Sequence, residues 1–228
     1  MKKLNGVFVF IIVLIIHIAA LFFDNKMIEF FTKPLLLIVL AVYFIVSTNS
    51  VSSGLKKWIL GALFFSWVGD LLLMFVQNNA NFFLAGLSSF LLAHISYIFF
   101  FHSLRVQENV KGKIFLFLPV LIYYIILMTM LSPSLGEMKL PVRIYGVVIC
   151  FMLMLALHVF YIPDKIAGTI MMTGALLFVA SDSVLAVNKF YHAFKGAGII
   201  IMITYGFAQL LITKGAIRYI LRKGKENR

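Results

Sequence analysis

Acidic side chains are scarce in this sequence: Asp and Glu number eight in 228 residues, and charged residues of all kinds make up 12%. An ordinary soluble domain carries roughly 25% charged residues. Cysteine is nearly absent. The single Cys150 excludes an internal disulfide and any cysteine-built metal cluster, and its apolar surroundings in the sequence make it a packing residue. No His-x-x-x-His, Glu-x-x-His, Gly-x-Ser-x-Gly, phosphate loop or Cys-x-x-Cys occurs, so metal, serine-hydrolase and nucleotide mechanisms have no motif support. Long polar stretches are missing too, which leaves no room for a separate soluble domain.

What fills the chain instead is apolar: 63% of the residues are hydrophobic. A membrane-spanning helix needs roughly 20 mostly apolar residues. Apolar runs near 4–23, 28–47, 57–76, 81–103, 113–131, 141–161, 165–187 and 196–217 predict an all-α, polytopic membrane protein of eight transmembrane helices. Residues 1–228 then form one integral membrane domain with short connections, such as Asp24 to Lys26, Gln77 to Asn79, Ser132 to Leu140 and Asn188 to Lys195. The run from Val7 to Phe23 is too long for a signal-peptide h-region and lacks a small-x-small cleavage site, so it reads as the first retained span.

The net charge of +12 is scattered over loops and gathered in the tail from Lys214 to Arg228. Such a tail suits a flank on anionic membrane lipid, and nucleic-acid binding is not expected. Counting Lys and Arg on alternate sides puts fourteen of the twenty, among them Lys2, Lys3, Lys56, Lys57, Arg105 and Arg228, on the side of the N-terminus. The positive-inside rule then places both termini in the cytoplasm, as in a plasma membrane such as a bacterial inner membrane. Gly61 to Phe65 ahead of Asp70 resembles Gly174 to Phe178 ahead of Asp182. Two parallel four-helix repeats and a chance likeness between Gly/Ala/Leu/Phe-rich helices both account for this.

Six of the eight acids fall in loops, span ends or the tail; Asp70 and Asp182 do not. An Asp at mid-span costs roughly 2.5–3.5 kcal/mol on insertion scales, so it is expected to face the bundle interior and to mark a site. The alternative is a carboxyl that only bonds a neighbouring helix. Spans 3 and 7 run in the same direction, and each Asp precedes the outer end by about six residues, or about 9 Å at 1.5 Å per residue. The two carboxyls are thus expected at one depth. Brought together in a low dielectric they cannot both ionise easily, so the pair can hold a proton and act as acid and base.

Other polar residues are spaced to line the same cavity. Ser66 is one turn before Asp70, Ser181 adjoins Asp182, His94 and Tyr97 are three apart, and Tyr205 and Gln209 are four apart. A lone intramembrane His or Tyr usually makes only an interhelical hydrogen bond, and His17 and His158 are read that way. Lys33, before Pro34 near the outer end of span 2, reads either as a snorkelling flank or as a partner for an anionic phosphate.

Taken in order, Thr32-Lys33-Pro34, Phe65-Ser66-x-x-Gly69-Asp70, Ala93-His94-x-x-Tyr97, Gly174-Ala175-x-x-Phe178-x-x-Ser181-Asp182-x-x-Leu185-Ala186, Asn188-x-Phe190 and Tyr205-x-x-x-Gln209 resemble the YhhN-type lysoplasmalogenase family. The resemblance implies an eight-helix enzyme without metal or cofactor. Its substrate would be a lysoplasmalogen, whose vinyl ether it hydrolyses to a fatty aldehyde and a glycerophospho-alcohol. Asp70 and Asp182 would be the catalytic pair, with Lys33, Ser66, His94, Tyr97, Ser181, Asn188, Tyr205 and Gln209 holding substrate and carboxyls. From the residues alone, a small proton-coupled transporter or channel is the main alternative, since paired intramembrane carboxylates also relay protons. An aspartyl-type intramembrane protease shares the two-Asp logic but not the motif order.

Overall fold

The computed structural model describes residues 3–79 and 81–226, with side chains described from residue 6 onward. Lys2 and Arg228, which enter the charge count, lie outside the described residues, as does the side chain of Lys3. The chain is helical throughout and has no strand among the described residues: α1 (Lys3–Phe22), α2 (Lys26–Thr48), α3 (Lys56–Met74), α4 (Asn81–Gln107), α5 (Phe117–Leu131), α6 (Lys139–Val159), α7 (Lys165–Ala186) and α8 (Ala197–Glu226). Seven of these, α2 to α8 with their adjoining short turns, are long and apolar enough to cross a membrane. In α1 the described apolar stretch, Gly6–Phe22, is shorter.

Local chemistry sets several of the boundaries. The Asn25 side chain accepts the Ile28 amide at 3.1 Å and caps α2, so this helix begins at Lys26. Pro34 therefore lies inside the helix, two residues deeper than the predicted start at 28 put it. Without an N–H it cannot serve the carbonyl four residues back, and it is accommodated within the span. Asp164 caps α7 by accepting the Ala167 amide at 3.1 Å. The expected loop from Asn188 is partly helical: Val187–Tyr191 form a π-helical turn, which keeps Val187 and Phe190 packed on Met128 and Leu131. The expected connection from Ser132 likewise holds two 3₁₀ turns, Ser132–Ser134 and Gly136–Met138. α8 runs past the predicted span end, its last turns tied by Arg222–Glu226 at 2.8 Å.

Consecutive helices pair as hairpins, most closely α7 with α8, α3 with α4 and α1 with α2, while α4 packs on α6 and α2 on α8. Small residues permit this closeness. A Cβ on Gly174 would stand 2.9 Å from the Ala208 carbonyl oxygen, so α7 and α8 meet backbone to backbone there. One buried core draws residues from every helix, from Phe10 and Leu40 to Phe178 and Ile212. The outer surface is apolar as well: Phe8, Ile15, Phe31, Ile45, Ile126 and Ile166 are exposed, which suits contact with lipid and not with water.

Candidate active site

At one end of the bundle a cavity of about 460 Å³ opens between the ends of α1, α3 and α7 and the starts of α2 and α8. Asp70 and Asp182 both line it, together with Lys33, Tyr205, Ser181 and Asn188. No hydrogen bond joins the two carboxyls. Each is held by its own set of partners.

Asp70, on α3, is 3% exposed. Its Oδ2 accepts the Tyr205 hydroxyl of α8 at 2.8 Å, and its Oδ1 lies 3.7 Å from the Lys33 ammonium of α2. Both carboxyl oxygens thus have protein partners, and Lys33 adds a positive charge. Next to Asp70, Gly69, whose Cβ would come within 2.7 Å of the Phe90 ring, lets α4 settle closely on α3.

Asp182, on α7, differs. Its Oδ2 accepts the Tyr145 hydroxyl of α6 at 2.5 Å, and His94 Nε2 of α4 stands 3.0 Å from the same oxygen. His94 Nε2 is also 2.9 Å from the Tyr145 oxygen. Since Tyr145 spends its proton on Asp182, both oxygens near Nε2 are acceptors, and the imidazole proton sits on Nε2. The other oxygen, Oδ1, has no protein hydrogen-bond partner, and Asp182 has no Lys or Arg ion pair.

Behind the cavity a fully buried chain links three helices. Tyr97 of α4 donates to Gln209 Oε1 of α8 at 2.5 Å, and Gln209 Nε2 donates to Ser66 Oγ of α3 at 3.0 Å. Ser66, His94, Tyr97 and Gln209 are therefore brought together in the wall, but they do not line the cavity. Phe178 packs edge-on against His94 and Tyr205, with ring centroids 4.7 and 5.4 Å apart, and so joins the two donor sets. Ser181 reaches the cavity while donating to the Ile201 carbonyl at 3.1 Å. Asn188, in the π turn, accepts the Phe194 amide at 3.1 Å and closes the loop above the cavity.

Sequence reasoning missed Tyr145, an isolated polar residue in its span with no partner at helical spacing. His17, read as an interhelical bond, makes one to Thr32 of α2 at 2.8 Å, and it lines the cavity as well, which sequence reasoning did not foresee. His158, read as an interhelical bond, instead donates to the Met154 carbonyl of its own helix at 2.7 Å and accepts the backbone amide of Lys113 at 2.9 Å. A second, almost wholly apolar pocket of about 40 Å³ adjoins the site. Leu127, Met128, Leu131 and Phe190 line it, and it shares Asp182, Phe83 and Leu185 with the larger cavity. Among the described residues no group of three His, Cys, Asp or Glu side chains is placed to hold a metal.

No solved structure matches the chain. Among curated proteins it is similar to lysoplasmalogenase TMEM86B of Homo sapiens, 30% identical over 186 residues that cover 74% of this chain and 67% of the relative. The model of the YhhN family matches residues 28–216, a segment that holds both aspartates and every side chain bonded to them. On that extent of match the chain belongs to the YhhN family.

Proposed function

We propose that this chain is a lysoplasmalogenase-like hydrolase that cleaves the vinyl ether of a lysoplasmalogen with Asp70 and Asp182. The observation that carries the reading is the meeting of two intramembrane carboxyls on one cavity wall, in a chain of this family. Vinyl ether hydrolysis begins when an acid places a proton on the β-carbon. The resulting oxocarbenium ion takes up water, and the hemiacetal collapses to aldehyde and alcohol, so R–CH=CH–O–R′ and H₂O become R–CH₂–CHO and R′–OH. An acid and a nearby carboxylate are the groups this chemistry needs.

The partners divide the roles. A neutral carboxylic acid has one carbonyl oxygen with two lone pairs and one hydroxyl. Asp182 fits that form, with Tyr145 and His94 on Oδ2 and a free Oδ1 to carry the proton. Asp182 is therefore the acid. Asp70, facing Lys33 and Tyr205, is the carboxylate that stabilises the cation and orients water. Lys33 also meets the substrate phosphate, with Ser181 and Asn188 lining the headgroup region. His94, Tyr97, Tyr205, Gln209 and Ser66 hold the carboxyls in place. The alkenyl chain starts into the apolar pocket beside Asp182, which puts its β-carbon on the acid's side.

In this reading α1 is an eighth span, the chain is a single membrane domain, and both termini face the cytoplasm of a bacterial-type plasma membrane. The cavity then opens at the outer face. A parallel repeat is supported by spacing: Lys33 and Tyr145, Asp70 and Asp182, and Tyr97 and Gln209 are each 112 positions apart. The packing agrees, since α4 on α6 corresponds to α8 on α2.

Incubating purified protein with a lysoplasmalogen and with an ester-linked lysophospholipid of the same headgroup tests the reading by mass spectrometry. Aldehyde and glycerophospho-alcohol are expected from the first alone. Cleavage of neither, with proton-coupled flux into vesicles, would favour a transporter.

A further inference from the structure

His17 lines the same cavity as the two aspartates, yet it lies in α1, outside the segment matched by the family model. Its ring is 1% exposed, and its Nε2 is buried with no hydrogen-bond partner. The tautomer follows from counting protons. The Thr32 hydroxyl donates its single proton to the Ile28 carbonyl at 2.6 Å, so the 2.8 Å contact between Thr32 Oγ1 and His17 Nδ1 takes its proton from the imidazole. Neutral His17 therefore carries N–H at Nδ1 and a bare lone pair at Nε2. A buried acceptor without a donor is costly, and a ligand that brings an O–H or N–H into the cavity relieves that cost.

If the cavity takes a lysoplasmalogen, as proposed above, the ligand's own chemistry names the donor. The glycerol of such a lipid carries a free hydroxyl at C2, between the phosphate ester at C3 and the vinyl ether at C1. Thr32, which orients His17, is followed directly by Lys33, the cation assigned to the phosphate, and Lys33 in turn stands 3.7 Å from Asp70. His17 lines the same cavity as Lys33 and Asp70, which places it on the wall of the phosphate-facing end. We propose that His17 Nε2 accepts a hydrogen bond from the C2 hydroxyl and makes the site selective for lipids unsubstituted at C2. A lipid acylated there has no proton to offer and leaves the lone pair buried and unmet. Sites built around a hydrogen bond to a substrate hydroxyl discriminate far more strongly than apolar pockets do.

The test compares kcat/KM for a lysoplasmalogen and its C2 methyl ether, a change that removes the donor with little added bulk. Wild type is expected to prefer the hydroxyl by at least tenfold, the order of magnitude of one such hydrogen bond. In His17→Phe the ratio should fall to near one. The ratio is internal to each preparation, so the amount of folded protein cancels. Should His17→Phe yield no active protein, Thr32→Val serves instead: it frees the ring to put its proton on Nε2 and should lower the ratio severalfold. A ratio as large as wild type in either variant overturns the proposal. Absence of vinyl ether cleavage by wild type is a separate result, which removes the functional reading itself.

Discussion

Tyr145 donates to Asp182 Oδ2 from α6 while His94 reaches the same oxygen from α4, so this carboxyl is held from two directions. A hydrogen bond between neutral groups contributes roughly 0.5–1.5 kcal/mol, and 1.4 kcal/mol is a factor of ten. Tyr145→Phe removes one of the two and keeps the ring in place. It is expected to lower kcat about 2–10-fold with a smaller change in KM, as steady-state kinetics on a lysoplasmalogen would read; a wild-type kcat would deny Tyr145 its part in holding Asp182. Asp70 and Asp182 were legible in the sequence because charge inside an apolar run is unmistakable. Tyr145 was not, because tyrosine is unremarkable in a span and nothing at helical spacing pairs with it. The signal that would have found it is its distance from Lys33, the same as that between the aspartates. His17 stayed hidden for a different reason: its meaning lies in the atom that has no partner, which only packing reveals.

At the scale of the element, helix existence was legible and helix ends less so. Hydropathy locates an apolar run but does not see the Asn25 cap, which starts α2 two residues before the predicted span and sets Pro34 that much deeper. Nor does it see the π turn after α7, which sets Phe190 against Phe83 with ring centroids 5.6 Å apart. At the opposite end Asp164 caps α7 and receives the Arg218 guanidinium of α8, 3.0 Å from each carboxyl oxygen. Burial alone would raise this carboxyl, but the Ala167 amide and Arg218 outweigh it and hold it below the ordinary Asp range. A lowered folded value means the stabilisation is present above the unfolded Asp value of about 3.9 and fades as pH falls below it. Asp164→Ala should cost about 1–2 kcal/mol at pH 7, typical of a lost cap with an added ion pair. Thermal unfolding in detergent checks this: the gap to wild type should narrow as pH drops through and below about 4. A gap of constant size down to pH 2 would mean that the carboxylate charge is not what stabilises α7.

For the whole molecule, the all-helical membrane architecture followed from composition, since 63% hydrophobic residues leave few other folds. The sharing of one cavity by Asp70 and Asp182 was anticipated from depth alone. Their separate partner sets were not, because depth says nothing about rotation around a helix axis. α3 and α7 meet at the cavity without a bond between their carboxyls, and α8 supplies Tyr205 to one while α4 supplies His94 to the other. Under a parallel repeat each half thus lends a donor to the aspartate of the other, which makes the site dependent on both halves being folded together. The most direct measurement of the paired-carboxyl account is hydrolysis of a lysoplasmalogen in D₂O by wild type, Asp70→Asn and Asp182→Asn in membranes that contain equal amounts of folded protein. A positioned acid typically contributes 10²–10⁴-fold. Wild type is predicted to place one deuterium on a single face of the aldehyde α-carbon, and each variant to lose about 10²-fold or more in rate. Facial selectivity should survive in what Asp70→Asn still makes and vanish in the residue from Asp182→Asn. Wild-type rates in both variants, or deuterium distributed over both faces by wild type, would contradict it.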